Sequence, residues 1–303
     1  HLCTEESTQS QWLYEILFPH VHDLAIVLGR KSRGNKDDDR DAHALANRMR
    51  LGDLEQRIFK LPVSFTTLRD LVRSYQMVNK DLVRVKNRIH ALYRSRGIPT
   101  QVSGCPFCAQ DAPNARGCLK PGFHRAIERF RTQKQALEAL KDEAEKEMIA
   151  EARRHTIMRI LQSAPGFGPI RSAQLLSIVV TPHRFRTSRQ FWSYCGLAIV
   201  QRSSADWVQL PNGKWVRASV LQSRGLNQNF NRTVKAIFKG AAMTVEKSSR
   251  HPLRADYDRL LVKGTKPNLA RLTLARKIAA IVLAMWKNQQ AYDPGRRPDV
   301  KNK

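Results

Sequence analysis

Carboxylates are the scarce charge in this chain. Its 303 residues hold 26 Asp and Glu against 53 Lys and Arg, a formal net charge of +27. The deficit is uneven: the first fifty residues carry 8 acids and 7 bases, so the remaining 253 carry the whole surplus, 46 bases against 18 acids. A field of that sign and size calls for a polyanionic partner, and nucleic acid is the usual one. Uninterrupted apolar runs of about 20 residues are missing as well, as is a stretch that reads as a secretory signal. An anionic membrane surface is therefore the weaker alternative partner. Cysteine is sparse and odd in number, five in all, which argues against a disulfide scaffold and for a reducing, cytoplasmic setting. The chain starts at His1 with no methionine and reads as lacking its natural N-terminus.

What acids there are concentrate early. Asp37-Asp38-Asp39-Arg40-Asp41-Ala42 reads as the start of a helix packed down by Ala42, Ala44, Leu45, Ala46, Met49 and Leu51. Asp38 and Asp41 are three apart and share one helical face. Paired hard oxygen donors suit Mg²⁺, which takes one or two carboxylates plus phosphate oxygens and water. Acids in a first turn also simply complement the helix dipole, so this stretch alone decides nothing. Upstream, residues 1–4 read as a strand with Glu5 at its tip and Glu6 beside it. Gln9–Leu17 reads as an amphipathic helix, Asp23–Leu28 as a buried strand and Gly29–Lys36 as a basic loop. Strand, helix, strand, helix predicts a parallel sheet with its ligands at the carboxyl ends of the strands.

Residues 64–96 predict a long helix. Leu68, Leu71, Tyr75, Val78, Leu82, Val85, Ile89 and Leu92 alternate at spacings of three and four, a heptad seam decorated by bases that include Lys86 and Arg88. A second long helix, about 123–162, carries Ile127, Phe130, Leu137, Leu140, Ala144 and Met148. The two predict an antiparallel hairpin, or pairing with a second copy. Between them, Cys105, Cys108, Cys118 and His124 have the ligand types and count of a structural Zn²⁺ site, although ordinary reduced thiols in a Pro/Gly loop give the same pattern.

Further on, Pro165-Gly166-Phe167-Gly168-Pro169 between helices is a helix-hairpin-helix signal. Its glycines let backbone N–H groups approach a phosphate, aided by the following helix N-terminus. Phe185, Phe191, Trp192, Tyr194 and Leu197 supply core. Pro211-Asn212-Gly213 between alternating runs predicts a β-hairpin. Ser203 and Ser204 precede it beside Arg202; a serine attacking a phosphodiester needs a proton acceptor and a cation near the phosphorus, yet paired serines in turns are common. Arg224, Asn227, Asn229, Asn231 and Arg232 form a polar cluster suited to gripping phosphates. An apolar helix from Leu269 to Trp286 closes the chain before a loose basic tail.

In order and spacing, the Glu5 strand tip, Lys36-x-Asp38-x-x-Asp41-Ala42, the coiled-coil insert, Pro165-Gly-Phe-Gly-Pro, Gly196-Leu197 and the Ser203-Ser204 turn resemble the DEDD-type insertion-sequence transposases. The resemblance covers nearly the whole chain. It implies an α/β RNase H-like (RuvC-like) domain over 1–62, a coiled-coil arm over 63–162, a mainly α transposase domain with helix-hairpin-helix and β-hairpin over 163–290, and a tail over 291–303. It implies a transposase that cuts and rejoins DNA, with acids around Mg²⁺ or Mn²⁺ and a serine that becomes covalently linked to DNA. Glu5 (or Glu6), Asp38 and Asp41 match the family's acids, and Ser204 rather than Ser203 matches its serine. Gly166, Gly168, Arg202, Arg224, Asn227, Lys86 and Arg88 would contact nucleic acid. Donor and target DNA, a structured guide RNA and assembly as dimers and tetramers follow from the same resemblance, as does a prokaryotic, nucleoid-associated location.

Two departures stand out: the family's first aspartate has no counterpart from His1 onward, which predicts weak metal binding or none, and Ala205 stands where relatives often have glycine. The competing expectations are an RNase H-like nuclease or junction resolvase using metal-activated water, and a non-enzymatic nucleic-acid-binding protein.

Overall fold

The computed structural model describes residues 1–28, 37–54, 57–98, 121–202, 207–217, 222–249 and 251–295, with side chains undescribed at 201, 202, 207, 208, 217 and 222–224. The chain divides into two compact units, His1–Thr67 and Leu68–Lys303.

In the first unit, β1 (Leu2–Glu5) and β2 (Leu24–Val27) pair in parallel, Leu2 opposite Leu24 and Glu5 opposite Val27. Helix α1 (Ser10–Leu17) makes the crossover, and α2 (Asp38–Arg50) follows β2. This is the predicted strand–helix order, because apolar Ala25, Ile26 and Val27 are buried while α1 carries a one-sided apolar face. The Ile58 N–H donates to the Ile26 carbonyl at 2.7 Å, and Val27 bridges Arg57, giving the free edge of β2 a partner. One expectation fails. No residue of α2 is buried; Leu45 and Met49 are half-covered, and Ala44, Ala46 and Leu51 face solvent. Alanine offers too little side chain to hold a helix down, and Leu51 lies beyond its last turn.

The second unit opens on α3 (Thr66–Arg94) and α4 (Pro121–Arg153). Their contacts run antiparallel: Tyr93 meets Phe123, with ring centroids 6.0 Å apart, and Lys86 reaches Glu138 at 3.1 Å. Val85, Ile89, Tyr93, Phe123 and Ile127 form one apolar cluster. The buried seam of α3 differs slightly from the predicted one. Val72 and Tyr93 are buried, whereas Leu71, Val78 and Leu92 are only half-covered. With 3.6 residues per turn, a strict 3.5 repeat drifts, and the seam slips by one residue at each end. On α4, Leu140 is 50% exposed.

The second long helix also ends earlier than expected. It stops at Arg153, and α5 (Ile157–Gln162) starts afresh. The break at 154–156 re-aims the chain so that Ile157, Met158 and Leu161 are buried. Next come α6 (Pro169–Val179) and α7 (Ser188–Tyr194). Then follow the strands β3 (Ile199–Arg202), β4 (Trp207–Gln209), β5 (Trp215–Arg217) and β6 (Gln222–Leu226). The chain ends in α8 (Arg232–Lys247), α9 (Arg254–Val262) and α10 (Pro267–Asn288).

Helix α10 is the axis of this unit. Ala270, Leu274, Ala275, Ile278, Val282 and Trp286 are among its buried residues, and it packs on α5, α7, α8 and α9. A helix apolar on most sides belongs in a core. Between α8, α9 and α10, Arg271 holds Glu246 with Nε–Oε2 at 2.6 Å and Nη2–Oε1 at 2.8 Å. The Tyr257 hydroxyl donates to Glu246 at 2.9 Å, and Arg254 donates to the Glu246 carbonyl. These donors, Arg271 foremost, hold the Glu246 carboxyl below the usual glutamate range.

The predicted hairpin forms as β4–β5, turning at Gly213 (φ 78°). A second antiparallel ribbon, β3–β6, was not foreseen; its strands are short and 19 residues separate them in sequence, so no local pattern links the two. Among the described residues, no helix is long and apolar enough to cross a membrane.

Candidate functional site

A cavity of about 800 Å³ opens in the first unit, between β1 and α2. Glu5, Asp38 and Asp41 line it together with Cys3, Asp23, Arg50 and Arg57. Local chemistry puts them there. The parallel register ends at Glu5, so its side chain emerges at the carboxyl edge of the sheet. Asp37 is the N-cap of α2: its Oδ1 accepts from the N–H groups of Asp39 at 3.1 Å and Arg40 at 3.3 Å. That cap fixes where the helix begins and hence brings Asp38 and Asp41 onto the cavity side. Glu6 points elsewhere, bound to the largely covered Lys60.

Arg50 and Arg57 line the cavity too. Arg57 grips Asp23 through both carboxylate oxygens, at 2.8 and 3.0 Å, and this guanidinium holds the Asp23 carboxyl below its ordinary range. Burial pushes the Cys3 thiol up, so it stays protonated. Hard oxygen donors and arginines lining one cavity are what a phosphodiester and a divalent cation together require. The acids share the cavity without converging: among the described residues, no group of three or more His, Cys, Asp or Glu is close enough to hold a metal ion.

The remaining predicted residues are scattered over the second unit. Gly166, half-buried, takes φ 71° in a turn packed against α8; a Cβ there would lie 2.3 Å from the Ala241 carbonyl oxygen. The Gly166 carbonyl accepts from Arg171 Nη1 at 2.6 Å. Gly168 is the N-cap of α6 and looks into open space. Lys86 is engaged with Glu138. Arg88 lies on an exposed face of α3, and His124 is half-buried at the start of α4. Asn227 spends its amide internally, on the Ser193 carbonyl, the Ser193 hydroxyl and the Asn229 carbonyl. Ser203 and Ser204 lie outside the described residues, as do Cys105, Cys108 and Cys118 and the side chains of Arg202 and Arg224.

The motif comparisons fall on the same segments. A DEDD-type IS110 transposase family model matches residues 6–95, a span that contains Asp38 and Asp41 and begins one residue after Glu5. A second model, described as Transposase IS116/IS110/IS902 family, matches residues 158–257. The chain is an IS110-family transposase. It is similar to a protein of Pseudomonas aeruginosa described as a probable family 20 transposase. The two are 23% identical over 277 residues, 87% of this chain and 75% of that one. The DEDD match gives the N-terminal unit an RNase H-like fold and makes DNA the substrate and a divalent metal the expected cofactor.

Sequence reasoning missed the contribution of Arg57 and Asp23 to the cavity. They lie 34 residues apart, and only the bridge from β2 to the 57–58 segment brings them together.

Proposed function

We propose that this transposase cuts and rejoins DNA through a serine nucleophile, Ser204, assisted by an acidic site built from Glu5, Asp38 and Asp41. The observation that supports the acidic half most directly is the single cavity lined by all three carboxylates at a sheet edge. Asp38 and Asp41 would hold a divalent cation, with DNA phosphate oxygens and water completing its shell, so a closed cluster of protein ligands is not required. When bound, such an ion neutralises charge on the scissile phosphate. Arg50, which lines the same cavity, would attract the incoming backbone.

At Ser204 the chemistry balances simply. The hydroxyl oxygen bonds to phosphorus, its proton passes to a neighbouring base, and the bridging oxygen of the strand leaves to become a hydroxyl. The product is a phosphoserine link, which conserves the bond energy needed to rejoin the strand. The bases along α3 and α4 supply a surface for a guide RNA as well as DNA, and a dimer or tetramer would bring a serine and an acidic site to each strand. Gly168 at the N-terminus of α6 presents backbone N–H groups to a phosphate in helix-hairpin-helix fashion.

The second reading, a nuclease in which metal-activated water attacks, rests on the same acids, and Ser204 separates the two. Incubating the protein with Mg²⁺, RNA and donor DNA should yield strand-transfer products that disappear in Ser204→Ala. Undiminished cutting by that variant would establish the water mechanism instead.

A further inference from the structure

A second recess, about 570 Å³, lies in the C-terminal unit where α7 meets the loop after β6. Arg186, Gln190, Tyr194, Asn229 and Phe230 are among its lining residues, which include no carboxylate. Its walls are rigid. Arg184 Nη1 donates to the Ile178 and Val179 carbonyls at 3.2 Å each, and its guanidinium lies over the rings of Phe185 and Tyr194. Those carbonyls border Val180, whose φ of 63° and ψ of −53° are strained for a β-branched residue. Such strain persists only where surrounding contacts over-determine it, and it gathers at ligand clamps.

The opposite wall is shaped by Gly196. Its φ of 65° ends α7, and a Cβ there would lie 2.4 Å from the Phe230 ring. Glycine thus lets Phe230 close down onto the backbone, where Lys235 Nζ sits 4.1 Å from the ring centroid. Asn227 pins the loop to α7 through Ser193, and its N–H donates to the Ala198 carbonyl at 3.0 Å. The recess is therefore built at the root of the β3–β6 ribbon, and the segment joining those two strands carries Ser204.

Aromatic walls, side-chain amides at the rim and arginine without carboxylate match the needs of a nucleotide. Rings accept a base face, amides read its Watson–Crick edge and a guanidinium meets its phosphate. The volume suits a small ligand, and a base paired within a duplex cannot enter. We propose that this recess takes one unpaired nucleotide of a single strand, with its base against Tyr194 and its phosphate at Arg186. The assignment rests on the reading of the C-terminal unit as the part that handles cut strands, and it names the ligand of that part.

The test measures binding of the full chain to fluorescent single-stranded and duplex DNA of equal length, without divalent metal, so that it is independent of cutting. Arg186→Ala combined with Asn229→Ala, both at exposed positions, should weaken single-strand binding about 10-fold and duplex binding less than about 2-fold. Ultraviolet cross-linking of a single strand carrying one 5-iodouracil should label the peptide containing Tyr194. Equal loss for both DNA forms, no loss for either, or cross-links confined to other peptides would overturn the proposal. Failure of serine-adduct formation, by contrast, would leave these binding results unaffected.

Discussion

Replacing Gly166 by alanine puts the two explanations of the Pro165–Pro169 turn in direct opposition. The turn places Gly166 at φ 71°, where an L side chain costs about 1–2 kcal/mol. The new methyl would also meet backbone, 2.3 Å from the Ala241 oxygen and 2.9 Å from its carbonyl carbon. Backbone in a packed helix cannot rotate away as a side-chain tip can, so α8 must shift, at a cost of about 1–3 kcal/mol. Together these give about 2–5 kcal/mol. Gly168 is the internal control: its φ of −131° is ordinary and nothing lies within 4 Å of its Cβ position. There, Gly168→Ala loses only N-cap preference, under about 1 kcal/mol. Urea denaturation followed by far-ultraviolet circular dichroism measures both. A Gly166→Ala variant as stable as wild type but defective in DNA binding would refute the packing argument and assign Gly166 to phosphate contact instead.

Three further outcomes follow from the geometry. Because its donors hold the Glu246 carboxyl below the usual range, its stabilising contribution is complete above the unfolded glutamate pKa of about 4.3 and is lost as pH falls through the lower folded value. Glu246→Gln should therefore cost about 2 kcal/mol at pH 7, with the gap to wild type closing below about pH 4; a gap independent of pH would mean the charge is immaterial. Removing the α2 cap with Asp37→Ala should destabilise the helix by about 1 kcal/mol, visible as faster amide hydrogen exchange at residues 39–41 and absent if the cap does no work. Asp38→Asn with Asp41→Asn should abolish strand cleavage yet leave DNA affinity within about 3-fold, since phosphate binding rests on the excess of bases; retained cleavage would remove these acids from the chemistry.

Much of the fold was legible because its signals are local. The β1–α1–β2–α2 order follows from short apolar runs and a capped acidic helix, and the α3–α4 pairing from apolar spacing that survives despite dense charge. Strand–helix order suggested that Glu5, Asp38 and Asp41 could meet near one sheet edge, and all three line one cavity. The choice between Glu5 and Glu6 could not be read, since it depends on Lys60, 54 residues away. The β3–β6 ribbon, the Asp23–Arg57 pair and the recess beside Tyr194 were illegible for the same reason. Each joins segments whose only link is tertiary packing. Gly166 is ambiguous in the sequence for another reason: a residue type that suits phosphate approach also suits close helix packing, and the closeness of the Ala241 carbonyl favours packing.

The central claim is the covalent link between Ser204 and DNA. Its most direct test is to trap the reaction with donor DNA, RNA and Mg²⁺, denature, digest with protease and nuclease, and locate the residual nucleotide by mass spectrometry. A nucleotide attached to the peptide at Ser204, and missing from Ser204→Ala, is the predicted result. Cleaved DNA with no attached peptide, or attachment at another residue, would contradict the claim.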